Sequence, residues 1–101
     1  MSTLCILLTS SPENENSHTA VKLSQAALAK DHRVKIFLMS NGVYHVLHPR
    51  FLKLIEQGVE VTLCGSNAAE RGIEEREGVT FGSQYDLSVM AATADSFITF
   101  H

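Results

Sequence analysis

Four short runs, residues 3 to 9, 34 to 39, 59 to 64 and 96 to 100, carry apolar patterns that a helical period does not explain. Thr3 to Thr9 is almost unbroken and ends in Thr9-Ser10-Ser11-Pro12, which predicts a strand covered on both faces and then a loop. Val34 to Met39 predicts a second buried strand. In the third run Val59, Val61 and Leu63 alternate with Glu60, Thr62 and Cys64, a period of two. Val79 to Phe81 is long enough only for a minor strand.

The segments between these runs read as helices. Ser17 is placed to cap a helix through Ala20, Leu23, Ala27 and Leu28, ended by Lys30-Asp31-His32-Arg33. Pro49 suits the first position of a helix that turns Phe51, Leu52 and Ile55 inward and stops at Gly58. Ser66 or Asn67 can start a short helix through Ala68, Ala69 and Arg71, with Gly72 in the left-handed position beyond it. Ser83 with Asp86 is a capping-box signature ahead of Leu87, Met90, Ala91 and Ala94. Val43 to His48 fits neither period.

Strands alternating with helices imply right-handed crossovers and an open parallel sheet with helices on both faces, a single α/β domain over residues 1–101. Ligands of such sheets bind outside the carboxyl ends of the strands. Three loops should therefore converge on one rim: Thr9 to His18, Ser40 to Tyr44, and Cys64 to Asn67.

With 101 residues, 45% of them hydrophobic and 19% charged, the chain can bury one core without disulfides. A net charge of −3 with eight scattered Lys and Arg argues against nucleic acid as a direct partner. Leu4 to Leu8 is too short for a signal segment or a membrane span. Two cysteines outside any C-x-x-C pair fit a reducing compartment, and the expected location is the cytoplasm.

Cys64 stands at a strand's carboxyl end, before Gly65 and the amino end of a helix, where free N–H groups favour an anion. Such a setting lowers a thiol's pKa, and thiolate is the nucleophile of sulfur chemistry. Alternation puts Cys64 with Glu60 and Thr62, away from Val59, Val61 and Leu63, so an accessible rim position is expected. A buried structural thiol is the competing reading. Cys5, inside the first strand, reads as a small core hydrophobe. If the first and third strands are neighbours it lies about four residues below Cys64, roughly 13 Å at strand rise, too far for a disulfide.

Val61-Thr62-Leu63-Cys64-Gly65-Ser66-Asn67-Ala68-Ala69-Glu70-Arg71-Gly72-Ile73 resembles the active-cysteine segment of the DsrE/TusD family. Ala94 to Phe100 is similar to that family's closing strand, Asn41-Gly42-Val43-Tyr44 to its loop after the second strand, and the opening strand-loop-helix fits as well. The resemblance implies a flavodoxin-like fold, a homo- or hetero-oligomer, and a cofactor-free sulfur relay. In that relay Cys64 takes sulfane sulfur from a donor protein as a persulfide and passes it to an acceptor. Gly65, Ser66, Asn67, Arg71 and Asn41 are candidates to contact the sulfur-bearing partner. Asn41 is equally a turn residue, and Arg71 equally an exposed or salt-bridged one.

No metal site is expected: His45 and His48 are three apart but lack a third ligand at fixed spacing, and Pro49 disturbs the helix. His18 reads as a surface residue near the rim. A flavin or nucleotide site is disfavoured because Thr9 to Glu13 has no glycine and carries a carboxylate where phosphate needs donors. The rival from another class is a non-catalytic interaction subunit with an inert Cys64. Val43, Tyr44, Val46 and Leu47, apolar without core periodicity, suggest burial between subunits.

Overall fold

The computed structural model describes residues 2–101. Five strands, β1 (Thr3–Leu8), β2 (Arg33–Leu38), β3 (Glu60–Cys64), β4 (Val79–Gly82) and β5 (Ser96–Phe100), form one sheet in the order β4-β3-β2-β1-β5 with every pair parallel. The strands sit where the apolar runs place them, and the sheet is the predicted parallel one. β2 lies between β1 and β3, so the two cysteine-bearing strands are not neighbours.

Helix α1 (Glu15–Ala29) follows β1, a 3₁₀ segment (Ser40–Leu47) and α2 (Pro49–Glu56) follow β2, α3 (Gly65–Glu70) follows β3, and α4 (Gln84–Thr93) joins β4 to β5. The first three crossovers step in one direction across the sheet, and right-handedness puts them all on one face. There Ile6, Leu8, Ile36, Leu38, Val61 and Leu63 pack with Ala20, Val21, Phe51, Leu54 and Ala68 in the main core. The fourth crossover returns from one edge of the sheet to the other, so α4 lies on the opposite face. A second, smaller core forms beneath it from Cys5, Phe37, Cys64 and Met90, with Leu7, Met39, Leu87 and Ala94 at its margin.

The cover on that second face is thin for a geometric reason. From β4 to β5 is four strand spacings, about 19 Å, whereas the ten residues of α4 extend about 15 Å. One linker residue precedes the helix and two follow it. A single taut helix shields one lane of the sheet and leaves Glu60, Thr80, Phe97 and Thr99 exposed.

Three local expectations change. The α1 cap is Asn14, whose side chain accepts from Asn16 N, and Ser17 lies inside the helix. Cys64 itself, rather than Ser66 or Asn67, is the residue before α3. Val43 and Val46 are fully buried in the chain's own core, so their apolar character is explained by packing within the chain, whereas Tyr44 is partly buried and Leu47 is exposed. The pattern of this segment eluded both periods because 3₁₀ backbone repeats every three residues. The capping box of Ser83 with Asp86, Pro49 at the start of α2, and Gly72 with φ +70 beyond α3 are as expected.

Ile36 sits on the central strand with no exposed surface. Ile36→Ala should cost about 2–5 kcal/mol, while Thr99→Ala on the uncovered edge strand should change stability by less than about 0.5 kcal/mol. Urea denaturation of the two variants measures both.

Candidate functional site

A ligand crevice forms in an open sheet where adjacent strands send their following helices to opposite faces. Here β3 leads to α3 on the main-core face, and its neighbour β4 leads to α4 on the other. The switch point lies between Cys64-Gly65 and Gly82-Ser83, since Cys64 and Gly82 are register partners. Cys64 therefore stands where two helix amino ends diverge.

The crevice is tight. A Cβ on Gly82 would collide with the Asp86 carboxylate and come within 3.0 Å of Thr62 Cγ2, so only glycine lets the Ser83–Asp86 cap close beside β3. That cap is reciprocal, with Ser83 N donating to Asp86 Oδ2 at 2.7 Å and Tyr85 N donating to Ser83 Oγ at 3.2 Å. Gly65 lies against the Gly82 carbonyl oxygen.

Alternation assigns Cys64 to the expected face, but that face is covered at this end. Cys64 is 6% exposed and belongs to the small core with Cys5, Phe37 and Met90, against which Met39 and Leu87 pack. An accessible rim cysteine that contributes little packing is thus corrected to a covered one. The physical reason is α4, which follows from strand order and not from the pattern of β3. Cys5 is fully buried in the same core, and burial pushes its thiol up to about 11 despite the nearby Lys35. It pairs through Lys35 with Glu60, four residues before Cys64 and two strands away.

Asn41, Asn67 and Arg71 come together. Arg71 Nε donates to Asn41 Oδ1 at 3.1 Å, Arg71 Nη1 donates to the Asn67 carbonyl at 3.1 Å, and Ser40 N donates to Asn67 Oδ1 at 2.8 Å. This clasp ties the loop after β2 to α3 and holds Ser40 at φ 52, a conformation that costs a non-glycine residue. Arg71 also lies 3.6 Å from Glu70 Oε1. Ser66 is exposed. These polar side chains mostly satisfy one another, and the groups directly at the crevice are the backbone of Gly65, Gly82 and Ser83.

Met90, Met39 and Leu87 of the small core, and Gln84, which donates to Met39 Sδ, were not legible as site residues. The signal available was Gly82-Ser83 followed by the cap, a second strand-to-helix turn. With β4 read as minor, that turn drops out of the converging loops.

The histidines serve the rim's architecture. His45 is fully buried, its Nδ1 donating to the Gly42 carbonyl at 2.8 Å and its Nε2 accepting from Ser17 Oγ at 2.9 Å, with Phe51 tilted against the ring at 5.1 Å. Both nitrogens are thereby committed to protein partners. His18 is exposed, and its Nδ1 accepts from Arg50 Nη2 at 2.6 Å. A cleft of about 400 Å³ opens beside this group between Ser11, Glu13, Asn41, Tyr44 and His48. Cys64 does not line it.

A profile of the DsrE/DsrF-like family matches residues 2–100. The chain belongs to the DsrE/DsrF-like family. An uncharacterized protein of Methanopyrus kandleri is 34% identical over 100 residues, covering 85% of this chain and 83% of that one. Another from Methanocaldococcus jannaschii is 28% identical over 110 residues, covering 94% and 96%. The crystal structure of the ychN protein from E. coli superposes with a TM-score of 0.87 at 25% identity over 99% of this chain and 100% of that one. A conserved protein from Bacteroides thetaiotaomicron shares the fold, with a TM-score of 0.80 at 14% identity over 98% and 95%. The DsrE-like fold is this five-stranded parallel sheet, and family membership supports a role of sulfur-relay type at the level of the family. Among the described residues no helix of this DsrE-like chain is long and apolar enough to cross a membrane.

Burial lowers the His45 pKa from its ordinary 6.5, only partly opposed by the bond to Gly42. A histidine held neutral in the folded state binds its proton more readily when unfolded. Its contribution to stability is therefore complete above about pH 6.5 and declines as pH falls through the folded-state value. Urea midpoints should drop below pH 6.5, and His45→Gln should flatten that part of the profile while lowering stability at pH 8.

Proposed function

We propose that this DsrE-like protein is a persulfide carrier with Cys64 as its sulfur-bearing residue. The observation that carries the reading is the position of Cys64 at the switch point, between two strand-to-helix turns whose backbone N–H groups and helix dipoles favour an anion. Thiolate and persulfide are both anions, and Cys5 has no comparable setting.

The reaction needs no cofactor and no net redox change. The Cys64 thiolate attacks the terminal sulfur of a donor persulfide, forming one S–S bond as the donor's S–S bond breaks and the donor leaves as a thiolate. An acceptor thiolate then attacks the terminal sulfur of Cys64–S–S⁻, and Cys64 departs as the thiolate with which it began. Gly65, Ser66 and Asn67 supply the amino-end backbone of α3, while Asn41 and Arg71 hold the neighbouring loop and set the approach. The partners are donor and acceptor proteins bearing sulfane sulfur and thiols, in a reducing compartment such as the cytoplasm.

An assembly belongs to this reading. β5 is an edge strand with Phe97 and Ile98 exposed, and apolar edges are ordinarily covered. A second subunit or a hetero-partner on that edge would cover them. Light scattering at micromolar concentration should give a mass above 11.1 kDa. The monomer mass for the protein alone would count against self-assembly.

Incubation with polysulfide should add one sulfur atom to Cys64, seen by mass spectrometry of native protein. Cys64→Ala should abolish the adduct. Alanine is preferred to serine, because a hydroxyl among Met90, Leu87 and Met39 would lack a partner. A sulfur load unchanged in Cys64→Ala, or an adduct on Cys5, would rule out the mechanism.

A further inference from the structure

Cys64 is 6% exposed, yet sulfur transfer requires an in-line approach by another thiol. Cys64 shares the small core with Cys5, Phe37 and Met90, against which Met39, just past the end of β2, and Leu87 of α4 also pack. Across the mouth of the crevice, Gln84 Nε2 donates to Met39 Sδ at 3.4 Å. Among the described residues this is the one hydrogen bond from α4 to another element, and a thioether is a weak acceptor.

The anchoring of α4 is correspondingly light. The helix packs on the small core through Leu87 and Met90, joined by Ala94 just beyond its end, while its outward Tyr85 and Val89 are 75% and 43% exposed. Its taut span prevents it from lifting as a rigid body. Its amino-terminal half, however, is held by the Ser83–Asp86 cap, the Gln84–Met39 contact and the packing of Leu87, and it leads from β4, a four-residue edge strand bonded to β3 alone. Helix termini with few buried contacts are the segments that open locally at low free energy.

The geometry points to a gate: the amino-terminal half of α4, latched through Gln84 to Met39 and seated by Leu87, opens ahead of Met90 to admit the partner thiol to Cys64. Gln84 and Met39 are gating residues and take no part in the chemistry. The unbranched thioethers of Met39 and Met90 suit a cover that must repack after each opening. The exposed Tyr85 and Val89 give a partner protein an apolar hold on the moving segment. This inference rests on Cys64 as the sulfur carrier for its purpose, but access to the thiol is measurable independently.

Iodoacetamide labelling of native protein, followed residue by residue by mass spectrometry, reads the gate. Gln84→Ala, an exposed substitution in a helix, should speed Cys64 labelling about threefold or more while Cys5 stays slow. Met90→Ala should speed it further, with circular dichroism confirming the fold. Amide exchange in the first half of α4 should be faster than in β1 and β2. Unchanged Cys64 labelling in Gln84→Ala would overturn the gate even if Met90→Ala proves too unstable to measure. So would Cys64 labelling only in step with Cys5, which marks global unfolding. Gated labelling without any polysulfide adduct would overturn the relay and leave the gate standing, whereas an adduct with ungated labelling would do the reverse.

Discussion

The handedness of the β-α-β crossover governs this molecule. Three crossovers in one direction stack α1, α2 and α3 on one face, and the single return crossover sends α4 to the other. From that asymmetry come the deep main core, the thin second core, and the parting of chain at β3 and β4. The geometry of the candidate site is a consequence of topology before it is a consequence of any side chain.

Cys64 shows how the two cores divide the work. Leu63, its neighbour in the chain, is fixed in the main core between β3 and the helices above it. One residue on, Cys64 faces the side that a single helix overlies. A sulfur atom there is kept from bulk water by a cover thinner than that of the main core. The clasp of Arg71, Asn41 and Asn67 steadies the adjoining loop from the main-core side. The crevice thus has one rigid wall and one lightly held wall.

His45 carries a related lesson. Its ring joins the 3₁₀ segment to α1 through Ser17 and closes on its own backbone through Gly42. Ser17, read from the sequence as a helix cap, instead supplies the hydroxyl that satisfies this buried ring. Short-range capping rules place hydroxyls near helix starts, but a buried imidazole in need of a donor is a long-range demand that local spacing does not reveal.

The strands, the parallel sheet, the cap at Ser83 and the place of Cys64 at the carboxyl end of a strand were legible in the sequence, because alternation, unbroken apolar runs and capping spacings are local consequences of backbone geometry. The family resemblance rested on the same local segments. Strand order, the burial of Cys64 in the small core beneath α4, the meeting of Asn41 with Arg71, and the inward turn of Val43 and Val46 were decided by tertiary structure alone. Each depends on which elements become neighbours, and a periodicity tells which face of a strand is apolar without telling what will come to lie on it.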